Sequence, residues 1–188
     1  MDERFLRAFF FTLNNEGGYV NDKDDPGGAT NYGISLEFLK DMYNRGFKDA
    51  DVNLDGTINQ KDIEAMSYAL VQRLYRIEFW DKVSMIPDDS LAIKVFDAGI
   101  NIGIKRAIQM LQECIGTKQD GIIGPITLNA IRTKDPNVLL RCFINRLELY
   151  YYEIAYRNPT MNKFLKGWLN RAKRTPSNLE LQKMRSKV

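Results

Sequence analysis

The chain has 188 residues, 44% of them hydrophobic, enough to bury one sizeable core or a core with a small satellite lobe. It contains no histidine; this removes Ser-His-Asp and Cys-His nucleophilic catalysis and the usual histidine-ligated zinc hydrolase sites, so an enzyme of this composition runs on carboxylates. The net charge of +3 hides an asymmetry: 10 Lys and Arg face 17 Asp and Glu over residues 1–90, and 17 face 7 over residues 91–188, so the C-terminal half either suits a polyanionic surface or is a solvated face.

Phe5, Phe9 and Leu13 recur every four residues, with Leu6 and Phe10 widening the stripe, which predicts an opening helix that ends at or just past Asn14–Asn15. The apolar run from Phe9 to Leu13 is interrupted by Thr12 and follows Asp2, Glu3, Arg4 and Arg7, far short of a transmembrane segment or a signal-peptide core. Residues 19–32 are rich in Gly, Asp, Asn and Pro and read as a loop or short hairpin. Ser35 offers an N-cap to a helix reaching about Phe47. Further helices are expected over Lys61–Trp80, Ser90 to about Ile102, Lys105–Ile115, Pro125–Arg132, a long one opened by Asp135-Pro136, and Thr160–Lys173. Leu147, Tyr151 and Ile154, and the i, i+4 pair Phe164 and Trp168, are read as packing residues. Cys114 and Cys142 sit in apolar periodic segments and read as small buried thiols, with a disulfide as the lesser alternative. The expected architecture is all-α with at most one small hairpin, in two lobes joined near residues 82–90.

The densest chemistry lies in Glu16-Gly17-Gly18-Tyr19 and Asp25-Pro26-Gly27-Gly28-Ala29-Thr30-Asn31-Tyr32-Gly33-Ile34. Glycosidic cleavage needs one carboxyl group to protonate the leaving oxygen and, as a rule, a second to hold water or stabilise the oxocarbenium-like transition state. Glu16, at a helix end among apolar neighbours, is the candidate acid, because helix-end carbonyls and burial both disfavour its ionised form. Asp25, nine residues on, is the candidate base or electrostatic partner, and Thr30 a candidate for orienting water. Without further context the same residues read equally as a solvated helix end and an ordinary turn.

Residues 51–62 place Asp51, Asn53, Asp55, Asn59 and Asp62 at positions 1, 3, 5, 9 and 12 of an EF-hand-like loop, with Gly56 at 6 and the Thr57 carbonyl at 7. Asp51, Asn53, Asp55, Thr57, Asn59 and Asp62 are the candidate ligands of a structural calcium, and no cofactor is expected to be needed for catalysis. The last position is Asp rather than Glu, which shortens the reach of a bidentate closure; the alternative is a loop whose Asp and Asn merely cap turns. Further on, Asp120-Gly121 reads as a turn, Gly124-Pro125 as a helix start, and Thr127 as a residue satisfying that helix's first turn.

The stretch from Glu16 to Ile34 closely resembles the Glu-Gly-Gly-Tyr and Asp-Pro-Gly-Gly-x-Thr-Asn-x-Gly-Ile signature of glycoside hydrolase family 108, the N-acetylmuramidases. The resemblance implies that Glu16 is the catalytic acid and places Asp25 on the family's Asp. A looser similarity to phage-type lysozymes supports roles for Asp25 and Thr30. The helix and Asp-Gly-Ile-x-Gly-Pro-x-Thr run over residues 107–128 resembles the peptidoglycan-binding helical modules joined to wall hydrolases. Together these imply a lysozyme-like fold of two lobes around a cleft: a catalytic lobe over residues 1–85, a peptidoglycan-binding-like lobe over 86–175, and a polar tail over 176–188.

The expected function is hydrolysis of the β-1,4 bond between N-acetylmuramic acid and N-acetylglucosamine, with peptidoglycan glycan strands as partner, in the setting of a prophage endolysin. The alternatives are a lytic transglycosylase, in which the muramyl 6-hydroxyl replaces water, and a non-catalytic wall-binding protein. No nucleic-acid partner is expected, because no recognition helix stands out beyond charge. A monomer is expected, made in the cytoplasm without a signal peptide and acting in the periplasm or at the cell wall after release.

Overall fold

The computed structural model describes residues 2–13 and 30–176. Contacts gather them into two compact units: one combines the N-terminal segment through Phe11 with everything from Ile77 onward, and the other runs from Thr12 to Arg76. Among the described residues there are nine α-helices and a single two-stranded sheet, so the all-α expectation with one small hairpin holds.

The larger unit is organised by a helix that is apolar nearly all round. In α5 (Asp89–Ile102) every residue from Leu91 to Gly99 is buried, as befits a helix enclosed by its neighbours rather than lying on a surface. Asp88 caps it by accepting the Leu91 amide at 2.7 Å. The stripe expected on α1 (Glu3–Leu13) is real: Phe5 and Phe9 are fully buried, and Phe5 meets Phe96 of α5 edge-on at 6.4 Å. Trp80 completes the cluster against Phe96 at 5.7 Å. The charges that open α1 also have partners. Arg4 reaches Asp89 at 2.6 Å and the carbonyls of Ser84 and Ile86, Arg7 reaches Asp89 at 2.8 Å, and the Trp80 indole donates to Asp2. Charged residues thus fix the start of α1 against the segment that leads into α5.

α6 (Ile104–Ile115) follows at once. Gly99 permits the close turn between α5 and α6, since a Cβ there would lie 2.5 Å from the Ile104 Cδ1. α7 (Pro125–Arg132) starts at its proline, as expected, and α8 (Pro136–Arg157) is capped by Asp135. α6 and α8 lie side by side, and Cys114 and Cys142 are disulfide-bonded across them with Cα atoms 5.9 Å apart. The reading of two free thiols is therefore corrected. Sequence spacing does not reveal which helices are neighbours, and the pairing follows from that neighbourhood.

α9 (Asn162–Lys173) begins two residues later than expected, because Pro159–Met161 forms a separate 3₁₀ turn capped by Asn158. Leu147 and Tyr151 of α8 are buried as expected and Ile154 is half-buried. Tyr151 stacks on Trp168 of α9 at 5.4 Å and donates to Asn101 at 2.6 Å. Phe164 is the exception, touching Trp168 but 45% exposed.

The smaller unit holds the hairpin, α2 (Leu36–Asn44), α3 (Gln60–Ala65) and most of α4 (Tyr68–Glu78). Ser35 caps α2 as predicted, accepting the Phe38 amide at 3.2 Å, but the helix stops at Asn44, where Gly46 turns the chain at φ +100°. The single helix expected over Lys61–Trp80 is two. Ser67 accepts the Leu70 amide and starts α4 afresh, an N-cap signal inside a continuous apolar pattern.

Candidate active site and wall-binding segment

Glu16 and Asp25 lie outside the described residues, and Thr30 is described in its backbone. What the structure gives is the element that carries the end of the motif. β1 (Thr30–Asn31) pairs antiparallel with β2 (Ile34–Ser35), Thr30 opposite Ser35 and Asn31 opposite Ile34. The two linking residues both adopt positive φ, Tyr32 at +53° and Gly33 at +76°, the combination that a type I′ turn requires. Glycine takes this conformation without cost. Tyr32 does so with help, since the buried Tyr75 hydroxyl donates to its carbonyl and Tyr68 packs edge-on against its ring at 6.2 Å.

Each position of Thr-Asn-x-Gly-Ile-Ser therefore has a physical task. Asn31 donates from Nδ2 to the Ile63 carbonyl at 3.0 Å, satisfying an acceptor near the C-terminus of the short α3. Ile34 is fully buried, and Ser35 ends the hairpin and begins α2. Asn31 and Tyr75 are positioning residues that sequence reasoning passed over. An Asn inside a glycosidase-like motif draws attention to chemistry rather than to a helix end, and Tyr75 is distant in the chain.

The loop of residues 51–62 is shaped by its own carboxylates. Asp51 accepts the Asp55 and Gly56 amides at 3.1 and 2.9 Å, and Asn53 Oδ1 accepts the Asp55 amide at 3.0 Å. Asp55 takes both the amide and the hydroxyl of Thr57, and these bonds hold its carboxyl below the usual carboxylate range. Asp62 is fully buried; it accepts from Val52, Asn53 and Asn59 and forms a capping box with Asn59 at the start of α3. Gly56 at +82° makes the bend its position demands. Among the described residues no group of three or more Asp, Glu, Cys or His side chains is arranged to hold a metal ion. The donor types suit a hard cation, and a carboxylate that accepts amide bonds keeps further lone pairs for one.

In the C-terminal half the Asp120–Thr127 run is built around a buried glutamine. Gln112 of α6 accepts the Gly121 amide at 2.8 Å and donates to Asp120 at 2.7 Å and to the Ile122 carbonyl at 3.0 Å. Asp120 also accepts the Ile122 amide, and the Gln112 bond is the main cause that keeps its carboxyl low. Gly121 turns at +78° over Lys105, whose Cγ would lie 2.5 Å from an added Cβ. Thr127 does not satisfy the first turn of α7 as expected. Its hydroxyl faces inward, 3.3 Å from Gln112 and the Ile122 carbonyl, where it joins the bonds that hold the turn before α7.

The profile described as Glycosyl hydrolase 108 matches residues 9–103, just over half of the chain. The chain belongs to the glycosyl hydrolase 108 family. A second profile, described as Predicted Peptidoglycan domain, matches residues 106–173. Among solved structures, one titled "Structure of Brucella abortus SagA" is similar over 97% of this chain and 92% of that one, at 28% identity and a TM-score of 0.74. No curated protein matches the sequence. This member of family 108 is thus a glycoside hydrolase acting on peptidoglycan, with a lysozyme-like helical fold and a wall-binding segment C-terminal to the hydrolase match. No helix among its described residues is long and apolar enough to cross a membrane.

Proposed function

We propose that this chain is an N-acetylmuramidase in which Glu16 protonates the leaving glycosidic oxygen, Asp25 holds water or stabilises the developing positive charge, and Thr30 orients that water. The reading is supported by a family match that spans residues 9–103, a range that includes all three residues, and by a hairpin that fixes the backbone of Thr30 through the bonds of Asn31 and Tyr75. A glutamate serving as acid must stay protonated near neutrality, which a helix end and apolar neighbours favour. The bond cut is the β-1,4 linkage between N-acetylmuramic acid and N-acetylglucosamine. The biological setting is an endolysin of a prophage, monomeric, made in the cytoplasm and active at the cell wall after release.

Purified peptidoglycan tests this directly. Wild type releases reducing muramic acid ends; Glu16→Gln lowers the rate by about 10²–10⁴-fold, and Asp25→Asn is crippled as well. Equal digestion by wild type and Glu16→Gln would end the assignment, and anhydro-muramyl products would turn it into a lytic transglycosylase.

The loop of residues 51–62 would hold one structural calcium through the side chains of Asp51, Asn53, Asp55, Asn59 and Asp62 and the Thr57 carbonyl, supplying charge compensation and no chemistry. Titration of metal-stripped protein with calcium is expected to release heat and raise the midpoint of thermal unfolding. Absence of both effects removes the cation from this account.

A further inference from the structure

A groove of roughly 490 Å³ lies in the larger unit between the segment after α4, the start of α6 and the Asp120–Ile123 turn. Its floor is aliphatic: Ile104, Ile108 and Ile123 are all buried. Two of its walls are apolar side chains held open to solvent, Met85 at 51% and Ile122 at 66% exposure. Ile122 stands at the tip of a polar turn. Here the turn is stiffened, because buried Gln112 and the positive-φ Gly121 fix the backbone on both sides of Ile122. The side chain is therefore presented rather than left to collapse, as a recognition contact requires. At the rim stand two lysines, Lys82 and Lys105, and two carboxylates, Asp81 and Asp120. Lys105 lays its stem over Gly121 and is exposed.

We infer that this groove binds the stem peptide of peptidoglycan rather than its glycan, an inference that rests on the wall-hydrolase reading and deepens it. Pyranose faces stack on aromatic side chains, and among the described residues no aromatic side chain lines this groove. A stem peptide alternates small methyl-bearing residues with free carboxylates and, at its diamino residue, an ammonium group. Methyls suit the exposed Met85 and Ile122; a carboxylate suits Lys105; and the ammonium suits Asp120, whose carboxyl the Gln112 bond keeps ionised. The match is one of chemistry at several points, and it gives the Asp-Gly-Ile-x-Gly-Pro-x-Thr run a purpose beyond folding.

The test is a calorimetric titration of the full chain with two soluble probes: a sugar-free tripeptide of alanine, γ-linked glutamate and diaminopimelate, and a peptide-free chito-oligosaccharide. The oligosaccharide is added to Glu16→Gln, which blocks its cleavage but not its binding at the hydrolase site, so any heat it gives is expected to be unchanged by a further Ile122→Glu; loss of that heat would overturn the inference. The tripeptide is expected to bind, and Ile122→Glu and Lys105→Met each to weaken it by about tenfold, with the circular dichroism spectrum of both variants unchanged. Ile122 is exposed, and methionine keeps the stem over Gly121, so both variants should fold. Tripeptide binding that is absent, or that both variants retain in full, overturns the inference. Wall digestion by wild type without tripeptide binding would refute the groove and leave the hydrolase standing. Tripeptide binding by a chain that leaves walls intact would support the groove and refute the hydrolase.

Discussion

Single side chains carry much of the local architecture. Ser35 stands at the junction of hairpin and α2, and its hydroxyl satisfies one of the amides that the helix start leaves unpaired. Ser35→Ala is expected to cost about 1 kcal/mol in chemical unfolding. Gln112 is the stronger case, because it is fully buried and bonds at both ends of its amide. Gln112→Leu removes an acceptor from the Gly121 amide and a donor from Asp120. A loss of about 1–3 kcal/mol is expected, with faster amide exchange at Gly121 and Ile122. Asp120 adds a pH dependence to the same turn. Its folded-state pKa lies below the unfolded value of 3.8, so its contribution is present above that pH and is lost as pH falls through the folded pKa. The protection factor at Ile122, taken relative to the intrinsic exchange rate at each pH, should fall on acidification through the folded pKa in wild type and show little such step in Asp120→Asn.

At the scale of elements, the joint between α6 and α8 is covalent. The Cys114–Cys142 bridge closes a chain segment with a sequence separation of 28, for which the loop-entropy estimate is about 3.5 kcal/mol. Denaturant unfolding of the double variant Cys114→Ser, Cys142→Ser should lose a stability of that order, and adding reductant to the wild type should lose a similar amount. The hairpin makes the complementary point. It is only four paired residues long, and its stability comes from Asn31, Tyr75 and Tyr68 rather than from its own ladder. Asn31→Ala is accordingly expected to lower hydrolysis through disorder of the Thr30 backbone, read as a fall in kcat against near-constant thermal stability.

Across the larger unit, a buried cluster ties the central helix α5 to the end of α9. Lys94 and Asp97 on α5 are both about 1% exposed, and Arg171 of α9 reaches Asp97 at 2.9 Å. Lys94 donates to the Arg171 and Arg174 carbonyls at 2.6 and 2.9 Å, the acceptors left over at the end of α9. Burial pushes the Lys94 ammonium below its ordinary range, against the pull of Asp97. Asp97→Asn leaves two cations without their compensating charge and is expected to cost about 3–5 kcal/mol, measured by denaturant unfolding. Lys94→Met is expected to cost less, since it removes the expensive charge along with its bonds.

What the residues decided alone was local. Periodicity, caps and prolines marked most of the helices, and the Thr30–Ser35 run encoded its turn because glycine and a residue of positive φ were needed there. The family signature carried the activity, since the residues proposed for it, Glu16, Asp25 and Thr30, lie within one short stretch of chain. Tertiary structure alone decided what depends on distant segments meeting. The disulfide needed α6 beside α8, and the Lys94–Asp97–Arg171 cluster joined α5 to residues 74 or more positions away. A local pattern fixes backbone conformation through neighbours a few residues away, whereas pairing energy between remote side chains exists only once the chain has brought them within bonding distance.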